Sequence, residues 1–432
     1  MLSAFARAFR TPDLRRKLLF TIGIVVVFRI GSFLPTPGVS YPNVQACIDQ
    51  TADANDLLGL VNLLSGGALL QLSVFSLGIM PYITASIIIQ LLRVVIPKFE
   101  ELHKEGQSGT AKLTQYTRYL TIGLAVLQST TIITFARSGN LFTGCTVDVI
   151  PDDSWVTLLI MVIAMTAGTG LVMWLGELIT ERGVGNGMSL LIFVSIAASF
   201  PSAMWSIAGG AGGIGKFIVV MAIIVLVIGL VVFVEQSQRR IPVQYAKRMV
   251  GRRMYGGSST YIPIKINMAG IIPVIFASSL LAIPALIAQF GDPTAGWVQW
   301  ISLYVADPEA PLHIGIYILL IIFFCYFYTA ITFNPDEVAD NMKKYGGFIP
   351  GIRAGRPTAE YLDYVITRIT APGSIYLALV ALIPTIAFIV LDVGNNIPFG
   401  GASILIVVGV GLETVKQIES QLQQRHYEGF LR

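Results

Sequence analysis

The length of the uncharged segments constrains this fold more than any other feature. Between Asp56 and Arg93 the chain has no Asp, Glu, Lys or Arg, and one helix over residues 57–92 would measure roughly 54 Å at about 1.5 Å per residue. The hydrocarbon core of a bilayer is about 30 Å thick, so this segment is too long for a single span. A Ser-Gly-Gly triplet at 65–67 interrupts it. We therefore expect a short separate piece, followed by a full membrane span that starts at Val74.

Apolar segments long enough to cross a membrane recur along the chain. Of the 432 residues, 54% are hydrophobic and 12% are charged, whereas soluble domains carry about 25% charged residues. This composition indicates a polytopic membrane protein. The pattern predicts ten spans, over residues 18–35, 74–96, 118–136, 155–175, 187–205, 215–234, 269–289, 314–333, 372–391 and 400–417.

The positive charges predict the orientation of these spans. If alternate loops lie on opposite sides, 26 of the 29 Lys and Arg fall on the side of the N-terminus. Arg137 and Lys216 fall on the other side, and Arg29 lies in the first span, close enough to its outer end to reach the interface. An excess of Lys and Arg marks the cytoplasmic side. Both termini are therefore predicted to be cytoplasmic.

Ten spans divide into two halves of five with opposite orientation. The predicted N-terminal half covers 1–205, an external loop covers 206–216, the C-terminal half covers 217–417, and a cytoplasmic tail follows over 418–432. Inverted halves commonly place a functional site at their interface. The glycine-rich external loop predicts a hinge, with a plain surface loop as the alternative.

Two predicted cytoplasmic loops, over 235–268 and 334–371, are too long to be simple connections. In the first, Ile241, Val243 and Tyr245 alternate with other residues, and the stretch STYIPIK follows. This alternation predicts a protruding β-hairpin. Both loops carry several arginines, which favours docking of an acidic or nucleic-acid partner, with contact to anionic lipid as the alternative.

The sequence contains no pattern of catalytic or metal-binding residues. The three histidines do not share a metal-ligand spacing, and Glu177 and Glu235 lie at the ends of spans. Ion-coupled transporters usually need ionisable groups inside the membrane. We therefore expect no enzyme activity, no metal and no cofactor. Three hypotheses remain. A conduit with apolar walls and a secondary transporter of small solutes rank level, and a membrane-embedded hydrolase ranks third.

Three cysteines give no disulfide framework. Cys47 and Cys145 both fall on the predicted outer side, where they pair if the compartment oxidises them and otherwise stay as two isolated thiols. Cys325 lies in a span and is expected to be inert packing.

The span after the glycine triplet presents Ile79 and Ile83 on one helical face, since they stand four residues apart. Pro81 lies between them and is expected to loosen the local helix. Ordinary helix packing is the alternative to a functional role for this face.

Several long stretches together resemble the SecY family of protein-conducting channels. They are SGGAL, LGIMPYITASIIIQLL, KEGQSGTAKLTQYTRYLT, WLGELITERGVGNGMSLLIF, INMAGIIPVIFASS and FNPDEVADNMKKYGGFIPGIRAG. The resemblance covers essentially the whole chain. It implies an all-α polytopic membrane protein with ten transmembrane helices in two inverted five-helix halves around a central pore. A short re-entrant plug helix over about 57–72 would seal that pore when the channel is idle.

The resemblance also implies the function and the partners. Unfolded, signal-bearing polypeptides would cross the bacterial cytoplasmic membrane, and membrane segments would leave sideways into lipid. The SecA ATPase or the ribosome would drive transport, so this chain would hydrolyse nothing. Expected partners are SecE-type and SecG-type small membrane subunits, SecA, the ribosome with its rRNA phosphates, signal peptides, nascent chains and membrane lipids.

Four groups of site residues follow from the same resemblance. The apolar pore ring would be Ile79, Ile83, Ile192, Ile275 and Ile406. The plug would include Leu60, Asn62, Leu63, Leu64, Ser65, Gly66, Gly67, Ala68 and Leu69. The lateral gate, between spans 2–3 and 7–8, would use Thr84, Gln128 and Asn267. Docking of SecA and the ribosome would use Arg248, Arg252, Arg253, Arg353 and Arg356.

Overall fold

The structure is a computed structural model, and it divides into two compact units. It describes residues 11–50, 65–137, 147–152, 154–209, 213–245, 248–250, 253–255, 259–289, 295–307, 310–391 and 401–428, with Phe9, Gly139 and Cys145. The first unit comprises Met1–Met221, Phe388–Phe399 and Ile406–Arg432, and the second comprises Ala222–Ala387 and Gly400–Leu405.

The described part of the first unit consists of helices joined by turns and loops. Its elements are α1 (Pro12–Phe33), α2 (Tyr41–Gln50), α3 (Met80–Val95), α4 (Pro97–Lys104), α5 (Gln107–Arg137), α6 (Trp155–Arg182) and α7 (Gly187–Gly209), with the beginning of α8 (Gly213–Gln236) and most of the last helix (Gly401–Glu428). Consecutive long helices pack side by side, α3 on α5, α5 on α6 and α6 on α7.

Within its described residues, the second unit combines helices with five short strands. Its strands are β1 (Gln238–Tyr245), β2 (Arg248–Val250), β3 (Arg253–Tyr255), β4 (Ser259–Lys265) and β5 (Gly347–Phe348). Its helices are α9 (Ile272–Gln289), α10 (Gly296–Ile301) with a π-helical turn over Ser302–Ala306, α11 (Pro311–Thr332), α12 (Pro335–Lys344) and α13 (Arg356–Leu391). The helix over Gly401–Glu428 is therefore α14.

Each of the ten predicted spans overlaps one helix of the structure. By length and composition, five helical stretches within the described residues can cross a bilayer: Gln107–Arg137, Trp155–Arg182, Ile214–Gln236, Pro311–Lys344 and Arg356–Ala387. A sixth membrane-crossing stretch is added if α3 and α4, which meet at a bend of 100°, count as one broken span. The chain is thus a multi-pass membrane protein, and the full count of ten spans stays a prediction.

The second span starts later than its apolar sequence predicts. Residues 74–79 form turns, and α3 begins at Met80. Gly78 has φ +55°, a left-handed backbone conformation that cannot continue a right-handed helix. Pro81 then occupies the first turn of α3. Backbone N–H groups in a first turn have no intrahelical acceptor, so the N–H that proline lacks costs the helix no hydrogen bond. The prediction that Pro81 loosens the helix was therefore wrong, because it starts the helix instead.

The predicted β-hairpin is confirmed. β1 and β4 pair antiparallel from Gln238↔Lys265 to Gln244↔Ser259. The side chains of Ile241 and Val243 are buried and their neighbours in β1 are exposed, which is the alternation that a sheet with one buried face requires. β2 and β3 form a separate two-stranded pair.

The two long predicted loops fold together, which the sequence did not reveal. β5 belongs to the second loop, yet it pairs with β1 of the first through Gln244↔Phe348 and Tyr245↔Gly347. A shared core joins the strands to α12 and α13, with the buried residues Ile241, Val243, Ile264, Met342, Ile349, Leu362, Val365 and Ile366. We call β1, β4, β5, α12 and residues 349–369 the hairpin platform.

Candidate functional site

The described part of the predicted plug consists of turns. Leu60, Asn62, Leu63 and Leu64 lie outside the described residues, while residues 65–72, which we call the plug segment, form successive turns. Gly66 and Gly67 have φ +71° and +86°, values that interrupt a right-handed helix. The expected plug helix is therefore not present over this part.

Arg29 binds the plug segment directly. Its Nη1 atom donates a hydrogen bond to the carbonyl oxygen of Gly66 at 3.0 Å, and its guanidinium group lies 5.1 Å from the centre of the Phe33 ring. Arg29 was expected to reach the outer interface, but the structure gives it a backbone partner 37 residues away. The signal for this role was a single arginine inside an otherwise apolar span.

Gly66 also lies against α7. A Cβ atom at Gly66 would come within 3.3 Å of Ser195 Cα and 2.9 Å of Arg29 Nη1, whereas one at Gly67 would meet nothing within 4 Å. Glycine is thus needed at position 66 both for its positive φ and for close approach of the backbone.

The other end of the plug segment is fixed to the chain that follows α1. The carbonyl oxygen of Leu72 accepts hydrogen bonds from the Thr36 N–H at 3.0 Å and the Thr36 hydroxyl at 2.7 Å. Pro35 and Ser73 form an isolated antiparallel bridge. Ser65, Ala68, Leu69 and Leu72 are completely buried, so the plug segment is packed inside the first unit.

The five isoleucines of the predicted ring are buried or half-buried. Ile79, Ile192 and Ile406 are buried, and Ile83 and Ile275 are half-buried. Ile83 donates its N–H to the carbonyl oxygen of Ile79 at 3.1 Å, which sets these two one helical turn apart. Four of the five belong to the first unit and Ile275 belongs to the second. The closed ring stays a prediction.

Two of the three polar residues of the predicted lateral gate, Thr84 and Asn267, make hydrogen bonds. The Thr84 hydroxyl donates to the carbonyl oxygen of Met80 within α3, at 3.0 Å, and Gln128 is half-buried on α5. Asn267 Nδ2 donates to Glu235 Oε1 at 2.6 Å and to the carbonyl oxygen of Gly270 at 3.1 Å. Sequence reasoning had placed Glu235 at a span end and missed its pairing with Asn267. The gate itself stays a prediction.

Two of the predicted docking arginines, Arg353 and Arg356, lie on the hairpin platform. Arg353 and Arg356 are exposed, and Arg356 Nε donates to Glu360 Oε1 at 3.1 Å, an exposed pair worth about 0–1 kcal/mol. The backbone of Arg248 lies in β2 and that of Arg253 in β3. Arg252 lies outside the described residues.

The hairpin presents further positive charge that the site prediction had omitted. Arg239, Arg240 and Lys265 are exposed on β1 and β4. Arg240 stacks over the Tyr261 ring at 4.8 Å, across the strand pair. A guanidinium group held over an aromatic ring keeps its charge at a defined position, which suits binding of phosphate or carboxylate.

The described residues contain no group of three or more His, Cys, Asp or Glu side chains that could hold a metal ion. They contain two separate features, a glycine turn fixed inside the first unit and a charged platform built on a small sheet in the second unit.

Comparison with known sequences decides the family. A sequence model of the SecY family matches residues 73–415. The chain belongs to the SecY family. It is 69% identical over 437 aligned positions to the protein translocase subunit SecY of Streptomyces scabiei, with all of both chains covered.

Solved structures agree on the fold. The chain is similar to a SecY whose plug domain is described as stabilising the closed state of the translocation channel and maintaining a membrane seal, with TM-score 0.61 and 20% identity. It is also similar to Sec61 in a canine ribosome–channel complex from the endoplasmic reticulum, with TM-score 0.62 and 18% identity. In both comparisons, 94% of this chain and 91% of the other are covered. The alternative of a secondary transporter finds no support in these relatives.

Proposed function

We propose that this chain is the pore-forming subunit of a bacterial general secretory translocase. It passes unfolded, signal-bearing polypeptides across the cytoplasmic membrane and releases membrane segments sideways into lipid. One observation carries the proposal: the full-length identity of 69% with a protein translocase subunit SecY.

The plug segment supplies the idle seal in this proposal. Its fixed position is supported by the Arg29–Gly66 and Thr36–Leu72 hydrogen bonds and by the complete burial of Ser65, Leu69 and Leu72. Non-helical backbone at membrane depth is tolerated only where protein or a water-filled cavity surrounds it. A segment held by a few hydrogen bonds can leave this position when a polypeptide enters.

The five isoleucines form the waist of the pore in this proposal. An apolar constriction resists wetting and offers a passing chain no fixed hydrogen-bond partner. Thr84, Gln128 and Asn267 line the lateral gate, where interhelical polar contacts of about 0.6–2 kcal/mol hold it closed and an inserting signal helix can still replace them. The two inverted halves, 1–205 and 217–417, move about the loop at 206–216.

The hairpin platform and the β2–β3 pair are the docking surface for the motors. Both termini and this surface face the cytoplasm, as the distribution of Lys and Arg indicates. Exposed Arg353 and Arg356 contact SecA, and Arg248, Arg252 and Arg253 contact rRNA phosphates. SecE-type and SecG-type subunits complete the membrane assembly, and the energy comes from the docked partner.

The test is protease protection of a signal-bearing precursor in liposomes that contain this chain with SecE-type and SecG-type subunits. SecA and ATP are added outside. We expect protected precursor only when SecA, ATP and an intact signal are all present. If no precursor is protected although the complex is intact and SecA is bound, and adding a translating ribosome does not restore protection, the proposal is wrong.

A further inference from the structure

Two of the three cysteines are joined across the external segments. Cys47 on α2 and Cys145, between α5 and α6, form a disulfide that links positions 98 residues apart. Their Cα atoms are 5.3 Å apart, within the range that a disulfide spans without moving the backbone. Cys325 on α11 is free and buried.

The disulfide is one of several contacts that fix α2 to the stretch before α6. Asn43 Nδ2 donates to the carbonyl oxygen of Asp148 at 2.7 Å, and the Ser40 N–H donates to that of Val149 at 3.1 Å. Cys47 is fully buried and Cys145 is half-buried. The covalent bond thus closes an interface that hydrogen bonds already define.

The stretch that receives α2 is itself fixed to the start of α6. Asp152 accepts hydrogen bonds from the Thr157 hydroxyl at 2.8 Å and from the Ser154 N–H at 3.1 Å. These two hydrogen bonds lower the pKa of the Asp152 carboxyl below its usual value, and the bond from the Thr157 hydroxyl has the larger effect. The same hydrogen bonds therefore favour the ionised carboxylate, the form that accepts both of them.

The plug segment packs into the same core as the disulfide. One continuous cluster of buried residues contains Cys47 and Val44 of α2, Val149 and Ile150 of the receiving stretch, and Leu69 and Leu72 of the plug segment. Leu69 and Leu72 are fully buried. Movement of α2 would therefore open the pocket that holds these two leucines.

Cys47 also precedes the plug segment on the chain. Ser65 follows it by 18 positions (65 − 47), while Thr36 binds the other end of the plug segment at Leu72. The disulfide thus precedes the plug segment on the chain, and the Thr36 hydrogen bonds hold its C-terminal end.

We propose that the Cys47–Cys145 disulfide is an extracytoplasmic modification site that holds α2 in place and so maintains the seat of the plug in the idle channel. The inference rests on the proposed function through the plug. Bond formation removes two protons and two electrons from the thiols, and an external disulfide-bearing oxidant accepts them and leaves as a dithiol. The compartment outside the cytoplasmic membrane is where such bonds persist.

The first test counts free thiols. Intact cells are lysed directly into a denaturant that contains a small maleimide, so that every free thiol is blocked, buried ones included. The purified chain is then reduced and labelled with a maleimide polymer. We expect two thiols to be labelled in the wild type and in Cys325→Ser, because only the disulfide is protected from the first reagent. Labelling of neither thiol after reduction would show that Cys47 and Cys145 are unpaired in the cell and would overturn the inference.

The second test measures the seal in planar bilayers with the whole complex. A membrane-impermeant phosphine reductant on the external side should raise the idle conductance about tenfold, the change produced by about 1.4 kcal/mol in the closed–open equilibrium. The double variant Cys47→Ser/Cys145→Ser should show the raised conductance without reductant and no further response to it. Cys325→Ser should respond as the wild type does.

Deletion of residues 60–70 separates failure of this inference from failure of the plug assignment. Suppose that the channel with the deletion leaks, while the reduced wild type and the double variant both keep the idle conductance of the untreated wild type. The disulfide then does not maintain the plug seat, and the inference is overturned. If the deletion itself does not leak, the plug assignment is wrong and the inference falls with it. Because reduction acts on the folded wild type, the test does not depend on folding of the serine variant.

Discussion

Two neighbouring glycines, Gly66 and Gly67, have similar backbone angles but different surroundings. Both have positive φ, so any other L-residue costs roughly 1–2 kcal/mol of strain at either position. Only at Gly66 would a new Cβ also meet Arg29 and Ser195. The pair therefore separates the effect of close packing from the effect of backbone strain.

Gly66→Ala should displace the plug segment more than Gly67→Ala does. We expect the idle conductance of Gly66→Ala in planar bilayers to exceed that of Gly67→Ala by about tenfold, since the added overlap costs on the order of 1.4 kcal/mol beyond the shared strain. Equal conductance in the two variants would show that the contact with Arg29 and Ser195 does not hold the plug.

Arg29→Met removes the charged donor to the Gly66 carbonyl oxygen. A hydrogen bond to a charged group contributes about 1.5–3 kcal/mol, so the idle conductance should rise about tenfold or more. Arg29→Lys keeps the charge but loses the fork of guanidinium donors, and it should give an intermediate conductance. Wild-type conductance in Arg29→Met would contradict a role of Arg29 in the seal.

The hairpin platform is the element that unites the two long loops. β5 has only two residues, Gly347–Phe348, and it adds to β1 of a loop about a hundred positions earlier. The buried Leu362 of α13 belongs to the core beneath these strands. Damage to that core should therefore affect both loops together.

Leu362→Ala leaves a cavity in the platform core and should cost about 2–5 kcal/mol. We expect weaker binding of both SecA and ribosomes, and faster proteolysis of the hairpin, in membranes that contain the full complex. Leu379→Ala, the same truncation at an exposed position of the same helix but outside the platform, is the matched control. Loss of binding to only one of the two partners would mean that the two loops act independently.

Arg353→Glu reverses an exposed charge in the tight turn before α13, where Gly351 and Gly355 both have positive φ. SecA-driven export should fall about tenfold or more at equal abundance, because a like charge now faces an acidic partner surface. Lys98→Glu makes the same charge change at an exposed position on α4, outside the platform, and should leave export unchanged. Normal export in Arg353→Glu would show that this arginine does not belong to the docking surface.

At the scale of the whole molecule, local signals in the sequence predicted the helices well. Charge-free segments placed a helix at each predicted span, and alternation placed the β1–β4 hairpin. The start of α3 was missed because Gly78 adopts φ +55°, which an apolar run does not indicate. Apolar character alone also cannot tell a turn from a helix, so the form of the plug segment was missed.

Contacts between distant positions were largely beyond local signals, although pairing of Cys47 and Cys145 was one of two alternatives that the sequence left open. The Arg29–Gly66 hydrogen bond, the Cys47–Cys145 disulfide and the β1–β5 pairing join residues 37, 98 and about a hundred positions apart. Each depends on how the helices pack, which periodicity and composition do not determine. The resemblance to the SecY family named the plug and the docking loops but not these anchors.

The central proposal is that a polypeptide passes through a waist formed by the five isoleucines of the predicted ring. The most direct measurement places a photo-crosslinking amino acid at Ile79, Ile192, Ile275 or Ile406 in turn and stalls a signal-bearing precursor in the complex. We predict adducts to the precursor from all four positions, and none from the control position Leu226, an exposed side chain on α8. Adducts from Leu226 but not from the isoleucines would contradict the proposed path.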